Sequence, residues 1–201
     1  MPAIAAVQSA PPVPKYFPPS FAKPSLPCGP GSRKDLPIVS DFENKWYSGQ
    51  LSAAQEPSLY EAAKGSARPK GRTVRFTWLR TFHPPVVVRV EGLGTATPRL
   101  IAKQLSGAGG YEPGTISKRV ERRLSSREAD TLAADVVRTG VFKLPAVECQ
   151  TGGTDGAEWL VEGVDEGGYH FVNRWTPRQG KVRDLGLAML ALTGWQFEEI
   201  Y

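Results

Sequence analysis

Val74-Arg75-Phe76-Thr77-Trp78-Leu79-Arg80-Thr81-Phe82-His83-Pro84-Pro85-Val86-Val87-Val88-Arg89-Val90-Glu91 is the stretch on which the fold turns. Its first half alternates. Val74, Phe76, Trp78 and Arg80 fall on one side of an extended chain, and Arg75, Thr77 and Leu79 on the other, because successive side chains of a strand point to opposite faces. His83-Pro84-Pro85 interrupts the run, and a strand of β-branched residues resumes from Pro85 to Glu91. So short a link has no room for a parallel crossover, so the two strands are expected to be antiparallel neighbours.

Downstream the pattern continues. Arg99–Leu105 and Thr115–Leu124 read as a third and a fourth strand, bounded by Gly92-Leu93-Gly94 and Gly107-Ala108-Gly109-Gly110. Ser125 and Glu128 then form a capping box, opening a helix with an apolar stripe of Ala129, Leu132, Ala133, Val136 and Val137. Gly140 ends it. Residues 155–163 and 168–177 read as two strands joined by a tight Gly-containing turn. A final helix, about Val182 to Thr193, is apolar on most sides and should be well buried. Upstream, Ser40 and Glu43 make a second capping box at the head of a helix over 41–51, and a short helix ends near Gly65. The expected class is α+β. The sheet is mainly antiparallel, a four-stranded meander plus a C-terminal hairpin, with helices packed on one face.

More than half of the 18 prolines lie in residues 1–37. Proline fixes φ and lacks a backbone donor, so this segment reads as an extended, unpacked, flexible tail. Residues 38–201 read as a single α+β domain. Net charge is +5, unevenly spread. Residues 71–124 hold ten basic and three acidic side chains, and residues 125–201 hold seven basic and twelve acidic. The two regions either compensate each other internally or leave a basic face for an anionic partner. Cys28 and Cys149 have no metal-ligand spacing, and whether they pair is left open. No segment has the length of a transmembrane helix. The small apolar N-terminus is not a complete signal peptide, so location stays open between cytoplasmic and exported, as does Met1 as the true start.

Four motifs carry a resemblance: Trp78-Leu79-Arg80-Thr81-Phe82-His83-Pro84-Pro85, Leu105-Ser106-Gly107-Ala108-Gly109-Gly110-Tyr111, Asp155-Gly156-Ala157-Glu158-Trp159 and Tyr169-His170-Phe171-Val172-Asn173-Arg174-Trp175-Thr176-Pro177. Over residues 41–195 the chain resembles a group of uncharacterised bacterial α+β domains. The resemblance implies the fold and a bacterial source, and it brings no activity or catalytic residue.

Candidate chemistry is sparse. His170 with Asp155 or Glu158 on the partner strand would suit a hydrolase-like general base, but no nucleophile motif accompanies it. Two histidines and no repeated carboxylate spacing give no metal site, and no cofactor motif is present. Arg75, Arg80, Lys118, Arg119, Arg122 and Arg123, with Trp78 and Phe76 between them, form an alternative nucleic-acid-binding set, which is not the favoured one. Trp159, Tyr169, Arg174 and Trp175 make the hairpin the expected ligand-binding region. The composition favours a non-enzymatic binding or scaffold-type domain with a protein or small-molecule partner.

Overall fold

A computed structural model describes residues 14–24, 36–65, 70–149 and 153–201. Six strands form one sheet: β1 (Arg72–Arg80), β2 (Val86–Leu93), β3 (Arg99–Leu105), β4 (Ile116–Arg123), β5 (Ala157–Asp165) and β6 (Gly168–Trp175). Their order is β4-β3-β2-β1-β5-β6, and every neighbouring pair is antiparallel. The strand read as Val74–Phe82 is thus central, flanked by β2 and β5.

The alternation expected for β1 holds, and both of its faces are buried. Val74, Phe76 and Trp78 join Val88, Leu100, Trp159 and Val161 in one core, beneath α3 (Ser126–Thr139) and α4 (Lys181–Ala191). Leu79, Val87, Leu105 and Leu160 join Tyr47 and Leu51 of α1 (Asp41–Ala53) in a second core on the opposite face. The short α2 (Leu59–Lys64) packs on that same face against Val164 and Tyr169. The expectation of helices on one face is therefore corrected to helices on both. Arg75, Arg89 and Lys103 lie on the second face too, and Glu56 and Glu162 match their charges there.

Local rules explain the elements. Both capping boxes form, Ser40 with Glu43 and Ser125 with Glu128, satisfying helix-start N–H groups that nothing else pairs. Gly140 ends α3 in the left-handed region at φ 54°, where a β-carbon would be strained.

The proline-rich segment holds a surprise. Tyr16 and Phe17 are buried in the second core, and a 3₁₀ turn runs from Pro19 to Ala22. The Tyr16 hydroxyl donates to the Glu56 carbonyl at 2.9 Å. Tyr16 and Phe17 are thus packed, contrary to the expected loose tail, although most of residues 14–24 are exposed, and residues 1–13 and 25–35 of that expected tail lie outside the described residues. Cys149 is disulfide-bonded, and Cys28 lies outside the described residues. Among the described residues no helix is long and apolar enough to cross a membrane.

Candidate functional site

At the β1 C-terminal end, the first face carries a row of three side chains from adjacent strands. Trp78 of β1 lies opposite Trp159 of β5, and Trp159 lies opposite Arg174 of β6. Both tryptophans are fully buried. A buried indole N–H needs an acceptor, and both find the same one. Trp78 Nε1 and Trp159 Nε1 each donate to the Tyr201 main-chain oxygen at 2.9 Å. Gly186 lets α4 settle onto this row, since a β-carbon there would stand 2.6 Å from the Trp159 ring.

Residues 196–201, beyond α4, cross this end of the sheet without regular structure. Their backbone is held chiefly by side chains. Arg80 donates to the Glu199 carbonyl at 3.1 Å, and Arg183 to the Ile200 carbonyl at 3.2 Å. The Phe197 ring meets Trp78 edge-on at 5.5 Å, and the Arg80 guanidinium stacks on the Trp78 ring at 4.0 Å. His83 Nδ1 lies 2.7 Å from the Tyr201 hydroxyl. Four donors thus converge on main-chain oxygens of one irregular segment.

Arg80 is 3% exposed and makes no ion pair among the described residues. Its Nε has no acceptor. Burial pushes its guanidinium below the usual value, while Tyr201, Glu199 and Glu198 pull it back up. A buried cation that holds only carbonyls is costly unless something anionic comes near. Beside the groove opens a cleft of about 440 Å³, lined by Arg174, Trp175, Arg178 and Lys181 among others.

The remaining candidates are placed elsewhere. His170 faces the first side near the β5–β6 turn, with Nε2 3.1 Å from Asp165 Oδ1 and its ring 5.1 Å from Phe142. Glu158 pairs with Trp175 five residues further along the ladder, on the opposite face, about 17 Å away at strand rise. Asp155 is exposed just before β5. The structure therefore gives His170 the acid Asp165, and brings it to neither Asp155 nor Glu158. Among the described residues no cluster of ligating side chains could hold a metal ion.

The basic set divides as well. Arg75 is fully buried on the second face, with Nε and a terminal nitrogen each 2.8 Å from the Glu162 carboxylate. Glu56 accepts from Arg89 at 2.7 Å and from Lys103 at 2.6 Å, and lies 3.6 Å from Arg75. Although burial works against it, these three cations hold the Glu56 carboxyl below its usual range. Arg122 pairs with Glu128 at 2.6 Å. Lys118, Arg119 and Arg123 remain exposed on β4, with Glu121 between Arg119 and Arg99. Arg75 and Arg80 thus share no surface with the β4 cations.

Of the expected ligand-binding residues, Trp159 lies in the groove, and Arg174 and Trp175 line the adjoining cleft. Arg174 is pinned by Glu148 at 2.7 Å and by the Pro145 carbonyl at 3.0 Å. Tyr169 is apart from them, donating to Glu162 at 2.9 Å on the second face. Trp78, His83 and Arg183 were not among the expected ligand-binding residues. The Trp78–Arg80 alternation on one side of β1 was the available signal for the first. No protein-family model matches the chain, and neither does any curated protein.

Proposed function

We propose that the protein is a non-enzymatic binding domain that recognises an acidic peptide segment, and that its own residues 196–201 occupy the site. The site sits at the seam between a four-stranded meander, β1–β4, and the β5–β6 hairpin. The observation that carries this reading is the convergence of Trp78, Trp159, Arg80 and Arg183 on main-chain oxygens. Side-chain donors aimed at carbonyls hold a peptide largely regardless of its sequence, and aromatic surface supplies the affinity. Arg80, buried without a carboxylate, favours acidic neighbours, and the occupying segment carries Glu198 and Glu199.

The test uses the full chain with its own segment weakened by Phe197→Ser and Tyr201→Ser. A fluorescent peptide spanning residues 195–201, ending in an amide, is titrated against it and followed by anisotropy. Saturable binding is expected. Adding Trp78→Phe and Trp159→Phe, which keep aromatic bulk and remove both indole donors, should weaken it about tenfold or more. Absence of saturable binding up to millimolar protein would overturn the reading, provided thermal melts show the protein folded.

A further inference from the structure

The groove ends in a subsite that treats an aromatic ring and its hydroxyl separately. Tyr201 lies edge-on to His83, with ring centroids 5.6 Å apart and planes at 69°. Its hydroxyl lies 2.7 Å from His83 Nδ1. At that distance the pair shares one proton, the phenol donating to a bare Nδ1 or accepting from a protonated one. Arg80, whose charge acts on this same phenol, runs past it to the Glu199 carbonyl.

His83 is also held before any ligand arrives. Its carbonyl accepts from the Gly109 N–H at 3.0 Å. The next carbonyl, of Pro84, accepts from Arg80 at 3.3 Å, and the following Pro84-Pro85 pair restricts the backbone. A hydrogen-bonding partner fixed in advance loses little ordering entropy when a phenol enters.

We infer that His83 forms a specificity subsite for a tyrosine hydroxyl, so that the domain selects acidic segments carrying a tyrosine over otherwise identical ones carrying phenylalanine. This rests on the peptide-binding reading above. A phenylalanine ring fills the same space, but it leaves Nδ1 to whatever water reaches it. Sites that hydrogen-bond a substrate hydroxyl discriminate against the analogue lacking it, most strongly when fully buried. Tyr201 is only half-buried, so the expected preference is about ten- to a hundredfold rather than larger.

Two amidated peptides, residues 195–201 with tyrosine or with phenylalanine at the last position, are compared on the same Phe197→Ser, Tyr201→Ser protein. The tyrosine peptide is expected to bind at least tenfold more tightly. His83→Phe, which keeps a ring in place and removes Nδ1, should bring the two affinities close together by weakening the tyrosine peptide alone. Equal binding of both peptides to the histidine form overturns the subsite and leaves the peptide-binding reading standing. Binding of neither overturns that reading and the subsite with it. A tyrosine preference that survives His83→Phe undiminished also overturns the assignment to His83.

Discussion

Glu158 is the side chain whose environment departs furthest from what its type suggests. It is 7% exposed on the second face, and its nearest polar neighbours, Asn173 and Tyr47, carry no positive charge. Burial therefore raises its carboxyl to about 7, against the hydrogen bonds from Asn173 and Tyr47. Its Oε2 and the Asn173 Oδ1 have no hydrogen-bond partner, and leaving a buried oxygen unpaired costs more when it carries a carboxylate charge. The sign follows. Below pH 4.5 the group is protonated whether the chain is folded or not, and costs nothing. Between 4.5 and about 7 the folded chain binds the extra proton, so stability falls as pH rises, and the full penalty applies above 7. Glu158→Gln should therefore raise the melting temperature at pH 8, by an amount corresponding to roughly 2–3 kcal/mol, and have little effect at pH 4. A melting series over that range that shows a constant difference would count against a buried neutral acid. Sequence alone showed Glu158 as a candidate partner for His170, whereas the tight turn that pairs Asp165 with Gly168 sets His170 opposite Gly163 and Glu158 opposite Trp175.

At the scale of elements, α4 and Trp159 meet through Gly186. Alanine there brings about 1 kcal/mol of helix propensity, yet its β-carbon would lie within 2.6 Å of Trp159 and 2.9 Å of Phe76. Overpacking of this kind costs about 1–3 kcal/mol and wins. Gly186→Ala should lower the melting temperature by a few degrees and, by tilting Trp159, speed hydrogen exchange in residues 196–201. A rise in melting temperature would mean that the helix moves freely and the contact is not restrictive. Elements were well legible in the sequence: two capping boxes, the Gly140 stop and the alternation of β1 all depend on residues a few positions apart. The second covered face was not. Arg75 looks solvent-facing until Glu162 and Glu56, 87 and 19 residues away, are seen to meet it. The groove was half legible for the same reason. Trp159 stands out by type, but nothing local links Trp78 to Tyr201.

Over the whole molecule, part of the charge imbalance of the sequence resolves into contacts between its regions. Arg75 pairs with Glu162, Arg72 with Asp165 and Arg122 with Glu128. Residues 196–201, with Glu198 and Glu199, lie against Arg80 and Arg183. The two ends of the sheet order are treated differently. Along β6, the Asn173 N–H donates to the Ala146 carbonyl at 2.7 Å, so a passing segment covers that side. β4 has no strand beyond it among the described residues, and it carries Lys118, Arg119, Arg122 and Arg123. An uncovered strand is a template for another chain, and clustered lysine and arginine are a common deterrent. The basic strand that resembled a nucleic-acid surface thus also works as a guard on colloidal behaviour. Its protection is electrostatic, and at about 1 M salt the screening length shrinks to roughly 3 Å. Light scattering should show the protein monodisperse in dilute buffer and self-associating in concentrated salt, with Lys118→Glu and Arg123→Glu shifting the onset to lower salt by letting opposite charges on two copies attract.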